Sequence, residues 1–158
     1  MALAIVGLGS NKGHRRSIIE RAVALISRIP DIYEFRCSEL METEPWGFES
    51  YNKFLNACVA FETDMPPEVL FGKLQEIERS ISEASHRDST GRYVDREIDI
   101  DFIAYGTQRV SLPGLILPHP RALLRDFVMI PFEEIAPELC AEITCVTTDN
   151  SLKPTLDC

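Results

Sequence analysis

The chain has 158 residues, 45 % hydrophobic and 26 % charged, which is long enough for one domain with a proper core and ordinary for a globular protein. A formal net charge of −9 argues against a general nucleic-acid binder, and no apolar run approaches the roughly 18 residues of a membrane span. The start, MALAIVGLGSN, lacks the basic residues and cleavage pattern of an export signal, so a cytoplasmic protein is expected.

In chain order, LAIVGLGSN (3–11) reads as a short apolar strand running into a Gly-rich turn. From Arg15 to Ile29, apolar residues at 18, 19, 22, 23, 25, 26 and 29 follow helical spacing, and Pro30 closes the run. Residues 32–43 are expected as a strand, 44–52 as an aromatic-rich loop, and 53–63 as a second strand. The run 65–81 opens with prolines at a helix start and carries apolar residues at 69, 70, 74, 77 and 81. A polar stretch, 82–95, is expected as a mobile loop. A strand over 96–106 follows, with a turn at Gly106 and a short strand from Gln108 to Leu112. Residues 115–139 read as a Pro-bounded loop followed by short helices, and 140–158 as a weakly patterned tail that packs only in part.

The order β-α-β-β-α-β with a C-terminal extension predicts an α+β fold. It is the ferredoxin-like arrangement of an antiparallel sheet with helices on one face, in a single domain over 1–158. The five cysteines form no CxxC pair; Cys37 and Cys58 sit in strand-like runs, so buried thiols are expected rather than a disulfide framework or zinc site.

The strand REIDIDFIAYG carries the strongest chemical signal. Alternation puts Glu97, Asp99 and Asp101 on one side and Ile98, Ile100 and Phe102 on the other. An acidic side is either a solvated strand face or a site for a positive group. Two aspartates about 6–7 Å apart suit one or two Mg²⁺ ions, which favour a few carboxylates plus phosphate oxygens. Gly7 and Gly9 either let a ligand approach the first strand closely or simply make its turn. Phe54 and Asn56 share a strand face, either to stack and pair with a flat heterocycle or as core and backbone cap. Trp46 and Tyr51 either close over a ligand or cover the sheet end. Gln75 and Glu78 share a helix face. In PHPRALLRDF, His119, Arg121 and Arg125 stand ready for phosphates or for pairing with surface acids.

Taken together, GLGSN, TEPWG followed by FLNACV, DREIDIDFIAYG and LPHPRALLRDFVMIPFEEIAPEL resemble the 6-hydroxymethyl-7,8-dihydropterin pyrophosphokinase family over roughly residues 3–139. The resemblance implies transfer of a pyrophosphoryl group from ATP to the pterin hydroxymethyl oxygen, releasing AMP, in folate biosynthesis. It further implies that Asp99 and Asp101 hold two Mg²⁺ ions. The pterin would lie between Phe54 and Phe127, with Asn56 on its edge and Thr43, Pro45 and Trp46 as the adjoining wall. Gln75, Glu78, Arg96, His119 and Arg125 would line the ATP side, Arg96, His119 and Arg125 also serving catalysis. The loops at 44–52 and 82–95 would close over the substrates. Such a mechanism requires no nucleic acid, membrane or oligomer.

Two departures stand out. Phe54 replaces the tyrosine common in the family, and SEASHR replaces a Gly-Arg-x-Arg run, leaving His86, Arg87 and Arg92 without an aligned role. Two further readings compete: a two-metal nucleotide hydrolase using the same aspartates, and a non-enzymatic acidic interaction domain. The spacing of Phe54 and Phe127 argues against the hydrolase.

Overall fold

The computed structural model describes residues 1–43, 53–82 and 97–150, with side chains to residue 145. The loops expected at 44–52 and 82–95 lie outside these residues, apart from Ser82.

Strand β1 (Ala2–Ser10) occupies the middle of the main sheet, and every residue from Ala4 to Ser10 is buried. Helix α1 (Arg15–Ser27) follows, burying Ile19, Ala22 and Ile26 on one stripe. The strand expected over 32–43 is two strands, β2 (Ile32–Cys37) and β3 (Met41–Thr43), both paired with β4 (Phe54–Thr63). The chain breaks where Ser38 docks on β4: its N–H donates to the Cys58 carbonyl at 2.9 Å, and its hydroxyl accepts the Cys58 N–H at 2.9 Å. Helix α2 (Pro67–Ile81) starts with proline in its first turn, where the missing N–H costs nothing, and buries Leu70, Leu74 and Ile81. Strand β5 (Asp99–Tyr105) is the acidic strand, and Gly106 turns the chain at φ 57°.

The main sheet is antiparallel in the order β2-β4-β1-β5, the ferredoxin-like arrangement when β2 and β3 count as one interrupted strand. A hairpin of β6 (Val110–Leu112) and β7 (Leu115–Leu117) follows, of which only the first strand was anticipated. The chain then makes a 3₁₀ turn at Ala122–Leu124 and enters α3 (Asp126–Ile135) and α4 (Pro137–Asn150).

The helices cover both faces of the sheet rather than one. Ala4, Val6 and Leu8 of β1, with Ala57, Val59 and Phe61 of β4, pack under α1 and α2. The alternate residues Ile5, Cys58, Ala60 and Ile103 pack under Val128 and Phe132 of α3 and Leu139 and Ile143 of α4. The signal is the apolar runs Leu3–Leu8 of β1 and Ala57–Phe61 of β4, which belong to strands buried on both sides. Residues 140–150, read as a weakly patterned tail, form most of α4. Cys58 is a buried free thiol as expected, whereas free Cys37, expected to be buried, is exposed; Cys140 is a further buried free thiol. Cys145 is disulfide-bonded, where no disulfide framework was expected.

Candidate active site

Strand register assembles the site. Gly9 pairs with Asn56 on one side and Asp99 on the other, and Gly7 pairs with Cys58 and Asp101. Directly opposed residues share a face, so Asn56, Gly9 and Asp99 form one row across β4, β1 and β5, and Cys58, Gly7 and Asp101 the next. The glycines are interior strand residues and do not make the turn, which falls later, around Gly13 at φ 77°. The turn reading of Gly7 and Gly9 is therefore corrected. A Cβ at Gly9 would stand 3.1 Å from Asn56 Oδ1 and 3.5 Å from Phe54 Cδ1. The absent side chain thus leaves a floor between the carboxamide and the carboxylates.

The row continues onto β3, where Met41 pairs with Asn56 and Thr43 with Phe54. Asn56 is 3 % exposed, and its Nδ2 donates to Thr43 Oγ1 at 2.7 Å and to the Met41 carbonyl at 3.4 Å. The amide is therefore locked with its carbonyl oxygen turned towards Gly9. Phe54, one strand period away, is half-buried on the same face.

Both aspartates are half-buried on β5, an edge strand of the sheet. Glu78 Oε2 accepts the Ile100 N–H at 2.8 Å, so the carboxylate satisfies an edge donor between the two aspartates. Gln75, one turn earlier on α2, is exposed. Glu97 precedes the strand in a bend instead of extending its acidic face.

The loop before α3 closes the acidic end. The His119 N–H donates to the Ile103 carbonyl at 2.8 Å, and His119 Nδ1 accepts the Ala122 N–H at 3.1 Å. A neutral ring held this way carries its proton on Nε2. Burial and then the Arg125 charge lower the His119 pKa from its ordinary value, while Asp99 pulls the other way. His119, Arg125 and Asp99 are thus electrostatic neighbours. The Arg125 guanidinium carbon lies 5.8 Å from the Phe127 ring centroid, a cation–π contact at the start of α3. That helix is anchored at its far end: Arg36 Nε donates to the Ile135 carbonyl at 2.8 Å, and the Glu134 carboxylate accepts the Glu39 N–H at 3.0 Å. Pro45, Trp46, Tyr51, His86, Arg87, Arg92 and Arg96 lie outside the described residues.

A cavity of about 560 Å³ lies elsewhere, between α1 and the β2–β3 connection, lined by Arg16, Glu20, Ser38 and Glu39 among others. Its charges are of both signs and share no row with the aspartates. Sequence reasoning missed Arg15, which reaches from α1 to β3 and to the residue before β4. No spacing rule links partners 27 and 38 residues away.

The ferredoxin-like sheet thus sets acidic and carboxamide side chains along one face. The family model for 7,8-dihydro-6-hydroxymethylpterin-pyrophosphokinase (HPPK) matches residues 5–137, and the chain belongs to that family. It is 39 % identical over 144 residues to the 2-amino-4-hydroxy-6-hydroxymethyldihydropteridine pyrophosphokinase of Porphyromonas gingivalis, covering 90 % of this chain and 96 % of that one. The enzyme of the same name from Bacillus subtilis is 33 % identical over 148 residues, covering 94 % and 86 %. Among solved structures, the wild-type HPPK-DHPS of Plasmodium falciparum superposes with a TM-score of 0.61 at 13 % identity. That match covers 87 % of this chain and 40 % of the other, and it supports the fold alone.

Proposed function

We propose that a trough over Gly9 holds both substrates of this pyrophosphokinase, the pterin at its Asn56 end and ATP at its Asp99–Asp101 end. The enzyme transfers pyrophosphate from ATP to the hydroxymethyl group of 6-hydroxymethyl-7,8-dihydropterin, an ATP-dependent step of folate biosynthesis. The hydroxymethyl oxygen forms a bond to the β-phosphorus, the bond from that phosphorus to the α-bridging oxygen breaks, AMP departs, and the hydroxyl proton is released.

The observation that carries this reading is the Asn56–Gly9–Asp99 row, which sets a heterocycle-pairing group and a carboxylate on one face with no side chain between. Asn56, its amide nitrogen engaged by Thr43, offers the ring an acceptor. A flat ring lacking a matching donor would leave that oxygen buried and unpaired, which gives selectivity. Phe54 and Phe127 supply the stacking faces, with Pro45 and Trp46 as the adjoining wall.

On the other side, neutral His119 presents Nε2–H and Arg125 its charge to the triphosphate, with Arg96 and Gln75 completing the binding set. Glu78 acts through the Ile100 N–H, holding β5 so that Asp99 and Asp101 keep their register with Gly9 and Gly7.

The donor set fits Mg²⁺. Asp99 and Asp101 are two hard oxygen ligands on one face, and the described residues contain no cluster of three acids, histidines or cysteines that would make a protein-only cage. Magnesium takes few carboxylates and completes its shell with phosphate oxygens and water. Bound there, two such ions would supply charge neutralisation to the triphosphate. The chain's own part is to orient the nucleotide and to bring the hydroxymethyl group in line.

The chain works as one domain, and the reading needs no nucleic acid, membrane or second subunit. No helix among the described residues is long and apolar enough to cross a membrane, and cytoplasmic action suits an ATP-dependent reaction on small molecules.

The test is AMP release from MgATP with and without the hydroxymethylpterin. Release that requires pterin and stops in EDTA is expected. Equal release without pterin would instead make the trough a hydrolase site.

A further inference from the structure

Arg15, the first residue of α1, takes no part in the site described above, yet its guanidinium reaches the strands that build the pterin end. Nη1 donates to the Lys53 carbonyl at 2.8 Å, and Nη2 meets Glu42 Oε2 at 2.8 Å. Lys53 immediately precedes β4, and Glu42 is the middle residue of β3. One planar fork therefore ties β3 to the start of β4.

The tie matters because β3 is weakly held otherwise. It is three residues long and, among the described residues, pairs only with β4. Its register sets Met41 against Asn56, Glu42 against Leu55 and Thr43 against Phe54. Alternation puts the Glu42 side chain on the opposite face from Met41 and Thr43. Arg15 thus grips β3 from behind, while Thr43 on the front face receives Asn56 Nδ2 at 2.7 Å. If β3 drifts, the Thr43 hydroxyl moves, and the Asn56 amide loses what fixes its rotation.

We propose that Arg15, through Glu42 and the Lys53 carbonyl, is a positioning residue for the pterin site that keeps the Asn56 carboxamide oriented for the ring edge. This rests on the pterin reading of Asn56 given above. Arg15 touches neither substrate. Its influence is specific to the pterin end, because its two partners lie within β3 and just before β4, whereas β5 carries the acidic end.

The experiment compares steady-state KM for pterin and for ATP, with Tm, in wild type, Arg15→Met, Arg15→Lys, Glu42→Gln and Asn56→Ala. Arg15→Met is expected to raise the pterin KM about threefold to tenfold, from loss of a part-exposed ion pair together with the charged bond to the Lys53 carbonyl. The ATP KM should stay within about twofold of wild type by the same measure. Arg15→Lys, which reaches one acceptor at a time, should recover part of the loss, and Glu42→Gln should fall between. If Arg15→Met does not fold, Arg15→Lys and Glu42→Gln carry the test.

An unchanged pterin KM, or equal rises in both KM values with a fall in Tm, would overturn the proposal and leave Arg15 a structural clamp. Asn56→Ala separates the two levels. Should it raise the pterin KM while the Arg15 variants do not, only the role of Arg15 falls. Should it leave the pterin KM unchanged, the pterin reading of Asn56 fails and the proposal fails with it.

Discussion

Adding a single methyl group at Gly9 tests the floor of the site. Gly9 is not among the positive-φ glycines, so alanine fits its backbone without strain. The methyl would lie 3.5 Å from Phe54 Cδ1, an ordinary contact, but 3.1 Å from Asn56 Oδ1, which is too close by a few tenths of an ångström. Asn56 cannot yield without stretching its 2.7 Å bond to Thr43. The methyl also occupies space at the edge where the ring pairs. Misaligning the carboxamide leaves a buried polar group unpaired, at about 1–3 kcal/mol. That converts to roughly a fivefold to 150-fold rise in the pterin KM. Stability should change little, because alanine in a strand interior gains about 0.5–1 kcal/mol over glycine, offsetting part of the close contact. Steady-state kinetics with each substrate varied, together with Tm, reads all three quantities. Gly7→Ala is the internal control: its Cβ would meet the flexible Ile103 Cδ1 at 3.3 Å, so a milder effect is expected. A Gly9→Ala enzyme with a pterin KM indistinguishable from wild type would refute the placement of the ring on this floor.

Other consequences follow from the same geometry. Asp101→Ala should fold normally, since it removes a half-buried strand carboxylate and no core packing, yet lose Mg²⁺-dependent turnover by orders of magnitude; near-normal kcat would end the metal assignment. Glu78→Gln keeps an oxygen for the Ile100 N–H and should retain most activity, whereas Glu78→Ala should lower kcat about tenfold by freeing the edge strand. Equal damage from both would move the carboxylate onto a ligand. His119 has a folded pKa below the ordinary 6.5, so the unfolded chain protonates first as pH falls. Its contribution to stability is present above that value and is lost as pH drops through the folded pKa. Urea midpoints in EDTA should therefore decline more steeply below pH 6.5 in wild type than in His119→Gln, and parallel curves would contradict this.

The acidic strand was legible in the sequence because period-2 alternation is local, and Asp99 and Asp101 share a face wherever the strand begins. Its start was less so: Glu97 fits the alternation but falls before the ladder, where no partner on β1 extends it. The second layer of helices was missed because the element order was read as placing helices on one face, although Leu3 to Leu8 is apolar on both alternations. Gln75 and Glu78 sit three positions apart, a spacing close enough to suggest one role. The 60° between them sends Glu78 to the Ile100 N–H and Gln75 to solvent. The Thr43–Asn56 bond and the Arg15 fork could not be read at all, because they depend on the break at Ser38 and on the register of a three-residue strand. Local patterns thus pointed to candidate groups for the chemistry, whereas the contacts that orient them are long-range.

The most direct measurement is backbone amide shift mapping of the folded protein with each substrate separately, using hydroxymethylpterin and a non-hydrolysable Mg²⁺–ATP analogue. The account predicts that pterin perturbs Gly9, Phe54, Asn56 and Phe127, while the nucleotide perturbs Gly7, Asp99, Asp101, His119 and Arg125. Perturbations centred instead on Arg16, Glu20, Ser38 and Glu39, around the cavity beside α1, would contradict it.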